Sequence, residues 1–365
     1  MNYEITPIFD SAKYIDTYDI NHFELYKKNY YPQMNINDAF HGLLFLKKYI
    51  AKEGTYNSYR REIERLMHWS WLIAKKSINQ LNANDIKKYI KFCNEPIPSW
   101  VGLSKVTKFL SIDDKRVPNH NWKPFVIVTS KLQKYYGLEN TKKTELHSSS
   151  VKEINLILST FYRFLLEKKY VKSNFMIINR LNSTNRLSSK TVQPNKLKKL
   201  SKLQLQYILD TSKELADTNP IFHERTHFIV SLMHHTGIKL SEMKSLNDQY
   251  PKMNDFFQKK CGQWYFKILN KNNQYRTINI NESMVSNLKR WRKYLGLKPL
   301  PESNENIPLF LKHRGSGPVS SDVHIRRVVQ QCLDQSIAKL KNDGYELQSI
   351  ELINASPSIL SVADR

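Results

Sequence analysis

Cysteine is scarce in this sequence. Cys93, Cys261 and Cys332 are far apart, odd in number and free of any CxxC pattern. Neither a zinc knuckle nor a disulfide framework can be built from them, and a reducing, cytoplasmic compartment is the expectation. Glycine and proline are also few, 10 and 14 in 365 residues, which excludes collagen-like and low-complexity sequence. No window approaches the roughly 20 uncharged apolar residues of a membrane span. The N-terminus, MNYEITPIFDSAKY, has no basic stretch leading into an apolar one, so no secretory signal is expected. Acidic residues are short as well: 33 against 57 basic, a formal net charge of +24.

An apolar content of 40% suffices for real cores, and at about 150 residues per domain the length suggests two or three of them. The positive excess sets up a field that attracts polyanions, of which nucleic acid is the commonest. An anionic membrane would call for one concentrated basic amphipathic helix or a lipid anchor. Here the basic residues run along the whole chain, interleaved with 20 Tyr, 16 Phe and 6 Trp, so no membrane partner is expected.

Residues 1–35 have no clean period and read as an irregular arm with one short helix. Residues 36–178 read as a helical domain. In it Phe40, Leu43, Leu44, Leu46 and Ile50 mark one helix. In TYNSYRREIERLMHWS, with Thr55 or Asn57 as cap, Tyr59, Ile63, Leu66 and Ser70 share one face; Asn57, Arg60, Arg61, Glu64 and His68 share another. A further helix is capped by Asn84 or Asp85, and residues 94–145 read as a less regular insertion. Val151, Ile154, Ile157, Leu158, Phe161, Phe164 and Leu165 give the stripe of a long helix, with Lys152, Asn155 and Arg163 on its other side. These two polar faces are either DNA-contacting or simply solvated. Residues 179–203 carry seven basic residues and no acidic one, so a cationic linker over 179–200 is expected. It either follows a phosphate backbone through Lys196, Lys198 and Lys199 or is a plain tether.

Residues 201–365 read as a second domain. A helix near 203–213 precedes a buried helix stopped at Gly237, and IKLSEMKSLN restarts a helix. QWYFKILNKNNQYRTINI reads as two strands around Lys-Asn-Asn, where asparagine tolerates positive φ. Helices over 283–295 and from Asp322 to Gly344 follow, and then a tail. His234 and His235 end a buried helix with no third ligand at metal spacing, so no metal and no cofactor is expected.

The order of these elements resembles the tyrosine recombinase (phage integrase) family. TYNSYRREIERLMHWS, LNANDIKKYI and SSVKEINLILSTFYRFLLEKKYVKSNF are similar to its helical core-binding domain, and residues from about 200 to 361 to its catalytic domain. The resemblance implies a mainly α fold with a small β-hairpin or sheet: a SAM-like helical domain followed by an α+β catalytic domain. Where the family has Thr-Gly-hydrophobic-Arg-hydrophobic-Ser-Glu, this chain has Thr236 to Glu242, with Lys239 in place of the first catalytic arginine. The hairpin lysine maps onto Lys271, and Arg276 joins the expected DNA-binding residues. In the family's Thr-x-His-x-Leu-Arg-His box, Ser358 stands for histidine and Ser361 for the second arginine. The chain ends at Arg365, before the position of the nucleophilic tyrosine, so that residue is expected to be absent and the catalytic domain truncated.

Family members join and break DNA strands through a 3′-phosphotyrosyl link, without metal. Two arginine forks hold the charge that builds on phosphorus. A lysine is a point charge rather than a fork, and serine supplies no charge. Losing one such donor costs ~10²–10³ in rate, and losing the nucleophile removes the covalent step. The sequence therefore implies a double-stranded DNA-binding protein, like the integrase of a mobile element, that does not cleave unaided. The resemblance also implies a homo-oligomer on DNA. The alternatives are a non-catalytic accessory or regulator at recombination sites, and a helical protein whose charge serves RNA or acidic partners. Glu242 is expected to support the local fold rather than chemistry.

Overall fold

The computed structural model describes residues 5–113, 115–126, 148–173, 199–245, 249–270, 274–312, 317–353 and 355–362. The described residues divide into two compact units, the first ending within the segment before 190 and the second beginning after it. Both are mainly helical with small sheets, as the sequence implies.

In the first unit, a 3-10 turn at Ile15–Thr17 leads to α1 (Ile20–Asn29), α2 (Ile36–Lys47) and α3 (Glu53–Trp69). α3 runs on into a π-helical turn, Ser70–Ala74, closed by Lys75 at φ 55°. α4 spans Ala83–Asn94; its cap is Asn82, two or three residues before the expected one, in a reciprocal box with Asp85. The insertion forms a parallel pair, β1 (Val101–Gly102) with β4 (Phe125–Val126), and a hairpin, β2 (Phe109–Ile112) with β3 (Lys115–Pro118). α5 spans Ser148–Glu167.

Residues 5–34 are not an arm. Ile8, Phe9, Phe23 and Tyr31 are fully buried in the core, among α2, α3 and α5 side chains such as Phe45, Ile63 and Phe161. The segment is pinned by polar contacts that a helical period cannot reveal. Glu64 accepts the N–H groups of Ile8 at 2.5 Å and Phe9 at 3.2 Å and pairs with Lys108. Asp10 takes a two-pronged ion pair from Arg116, at 2.7 and 2.8 Å. α3 is therefore covered on both sides. Its supposed polar face contains Glu64 and His68, both with no exposed surface. Asp38, also buried, gathers donors from Trp71, Ser77, Ile78 and Tyr170.

The expected linker lies largely outside the described residues, and Lys196 and Lys198 with it. Lys199 is described, just before α6 (Lys202–Thr218), which Ser201 caps. α7 (Pro220–Thr236) is the buried helix, and Gly237 ends it at φ 61°. The expected helical restart is only one 3-10 turn, Leu240–Glu242. A three-stranded antiparallel sheet follows, β5 (Phe256–Gln258), β6 (Trp264–Leu269) and β7 (Tyr275–Asn279), one strand more than the sequence indicates. α8 (Glu282–Tyr294), α9 (Asp322–Asn342) and α10 (Glu346–Ile353) complete the unit, with a 3-10 turn at Pro357–Ser361. The tail is thus folded: Leu352, Ile353 and Leu360 join a core built on Phe228, Met233, Trp291 and Leu333.

Candidate nucleic-acid interface

The turn after α7 is the organising feature of the second unit. Gly237 takes the left-handed conformation that a side chain would resist, and its N–H still reaches Met233 O at 3.0 Å. Ile238, Leu240 and Met243 then plug into the core, which leaves Lys239 exposed between them. Glu242 fixes the turn. Its Oε2 accepts the Lys239 N–H at 2.8 Å and the Arg276 Nη2 at 2.8 Å. Arg276 also donates to Gly237 O at 3.3 Å, so one guanidinium staples β7 to the turn. Ser361, from the last 3-10 turn, donates through Oγ to Ile238 O at 2.7 Å. Three segments far apart in sequence therefore meet around the backbone of residues 237–242.

Of the residues that the resemblance singled out, Lys239 and Ser361 come together here, the serine hydroxyl touching the residue before the lysine. Arg276 is present too, but its charge is spent on a carboxylate with 6% side-chain exposure. In the structure it braces β7 against the turn, with its side chain 29% exposed. Glu242 has the fold-supporting contacts expected of it. Ser358 is exposed, and its Oγ shares a 2.6 Å hydrogen bond with Ser356 Oγ. Lys271 lies outside the described residues; on either side of its segment, the Asn270 N–H donates to Gln274 O at 2.9 Å.

In the first unit, Lys152 and Arg163 are exposed on α5 and Asn155 is half-buried, its amide donating to Val151 O at 3.0 Å. Arg61 on α3 is exposed but ion-paired with Glu62 at 2.5 Å and with Glu153 at 3.4 Å. Arg60 is half-buried, over the Tyr56 ring and donating to Asn57 at 3.0 Å. His68 is excluded from any surface. It sits within an aromatic cage, with its Nδ1 2.8 Å from the Tyr31 hydroxyl, and burial pushes its pKa down to about 3.

His234 and His235, at the end of α7, are both half-buried. His235 is held neutral, with a pKa pushed down to about 4 by burial and by His234. The buried imidazole is His227, two turns earlier, bracketed by Ser212 Oγ at 2.9 Å and Asn287 Oδ1 at 3.2 Å. Among the described residues, no group of three or more His, Cys, Asp or Glu is placed to hold a metal ion, and no helix is long and apolar enough to cross a membrane.

No family model and no curated protein matches the sequence. Among solved structures, the chain is similar to the XerH site-specific recombinase bound to its difH substrate in a pre-cleavage complex. That match has 14% identity and a TM-score of 0.47, over 100% of this chain and 96% of the other. A post-cleavage complex of XerH with palindromic difH gives 14% and 0.48, over 92% and 81%. XerA recombinase gives 13% and 0.28, over 89% and 93%. At these identities and scores, the functional reading rests on the residues of this chain.

Proposed function

We propose that this protein binds double-stranded DNA in the manner of a tyrosine recombinase but does not cleave it unaided. The observation that carries the reading is the meeting of Lys239 and Ser361 around the Gly237–Glu242 turn, braced by Arg276. These are the positions where the resembled family sets its two phosphate-holding arginines. Here one lysine remains, and a neutral hydroxyl stands for the other. A lysine still attracts a phosphate, so affinity survives. The transition state, which gathers more charge than the ground state, loses its clamp. The net charge of +24 supplies the general attraction. Action at the ends of a mobile element, as a homo-oligomer in the cytoplasm, belongs to the same reading.

The test is binding to duplex DNA and to RNA of equal length, followed by incubation with a nicked suicide duplex. Duplex preference and no covalent adduct are expected. Lys239→Ala should weaken duplex binding and lower the slope of log affinity against log salt by about one contact. Equal affinity for RNA, or a denaturation-resistant DNA adduct, would overturn the proposal.

A further inference from the structure

The first unit contains a cleft of about 520 Å³ that has no part in the turn around Lys239. Its walls come from the end of α3, the π-helical turn and one face of α4. Trp69, Ile73, Ala74 and Phe92 give it an apolar floor, and around the rim Lys76, Lys88 and Lys91 outnumber the carboxylates of Asp85 and Glu95. We propose that this cleft binds a nucleotide, with the base on the apolar floor and the phosphate between Lys88 and Lys91.

The π-helical turn is the first support. It widens the last turn of α3 and presents Ile73 outward, 36% exposed, a branched apolar side chain left to water at the mouth of a concavity. π-helical turns of this kind occur disproportionately where a helix serves a ligand. The size is the second. The cleft lies within the range of pockets that hold nucleotide-sized ligands and is too small to seat a partner helix. The distribution of charge is the third. Lys76 is already neutralised by Asp85 at 2.9 Å. The side chains of Lys88 and Lys91 are exposed, one helical turn apart on α4, and form no ion pair within 4 Å among the described residues, although the Lys88 charge is felt by the Asp85 carboxylate. Two neighbouring ammonium groups beside an aromatic floor suit an anion attached to a flat ring. An apolar ligand would leave both lysines without purpose, and inorganic phosphate would leave the floor uncovered.

The same chemistry can arrive from two sources: a free mononucleotide, or a nucleotide turned out of a DNA strand held by the protein. The strand source rests on the DNA-binding reading above; the free source does not.

The experiment uses the full chain. Adenosine monophosphate, adenosine and inorganic phosphate are titrated by calorimetry. In parallel, a duplex with one unpaired 2-aminopurine and the fully paired duplex are titrated by fluorescence. The variants are Ile73→Glu, which places a carboxylate at the cleft mouth, and Lys88→Glu with Lys91→Glu. All three residues are exposed, so the fold should persist, with unchanged circular dichroism. Adenosine monophosphate should bind more tightly than adenosine or phosphate, and both variants should weaken it by about tenfold or more. If the strand is the source, the duplex with the unpaired base should bind more tightly than the paired one, and only that advantage should vanish in Ile73→Glu. Failure of adenosine monophosphate and of the unpaired base alike, or binding that both variants leave intact, would overturn the cleft. Loss of all duplex affinity in the unaltered protein would instead overturn the DNA-binding reading.

Discussion

Replacing His68 by glutamine would remove a titratable ring from among Tyr31, Trp71, Trp100 and Trp122. In the folded chain, burial holds the imidazole neutral down to about pH 3. In the unfolded chain it takes up a proton near its ordinary value of about 6.5. Between those two values the unfolded state binds more protons. His68 therefore leaves stability intact above about pH 6.5 and lowers it as the pH falls toward 3. At about 1.4 kcal/mol per pH unit, a drop from about pH 7.5 to about pH 5 should cost about 2 kcal/mol through this residue. Glutamine keeps a polar partner for the Tyr31 hydroxyl but cannot titrate. Urea unfolding followed by tryptophan fluorescence reports mainly on the first unit, which holds Trp69, Trp71, Trp100 and Trp122 of the chain's six. His22, His227 and His235 also have lowered values, so acid weakens both proteins. The extra loss in the unaltered protein over His68→Gln, about 2 kcal/mol, isolates His68. Equal losses in the two proteins would show that the ring titrates normally in the fold and refute the reasoning.

Arg276→Ala should destabilise the second unit by about 2–3 kcal/mol, because Glu242 would remain nearly buried with one backbone donor. Changing Arg276 and Glu242 together to methionine should cost less than Arg276→Ala alone, as a double-mutant cycle by denaturation would show. Maleimide should label Cys261 in the native protein. Cys93 and Cys332, buried and with thiols pushed up to about 12 by that burial, should label only on unfolding, as mass spectrometry of digests would record.

Periodicity revealed most of the helices, because a buried stripe at helical spacing needs no knowledge of its neighbour. It failed on α3 for the same reason. A helical wheel tells which residues share a face but not what covers it: the residues before α1 cover Glu64, and Tyr31, Trp71, Trp100 and Trp122 enclose His68. The third strand, β5, is three residues long and carries no alternation of its own. The turn at Gly237 was legible from Thr-Gly and its flanking apolar residues. The brace of Arg276 on Glu242 was not, since the two lie 34 positions apart and only the sheet brings them together. The cleft beside α4 also escaped the sequence: Lys88 and Lys91 look like ordinary solvated lysines until the π-helical turn is seen beside them.

Asp10 is tied to Arg116 across 106 positions, and the Tyr162 hydroxyl to Ile78 O across 84. The first segment thus leans on the insertion, and α5 on the residues just before α4. During synthesis, the early residues can complete no core until α5 has emerged from the ribosome, and closing such distant pairs is slow. For that interval the nascent chain carries Phe9, Phe23 and Tyr31 incompletely covered, which makes it a ready client for chaperones.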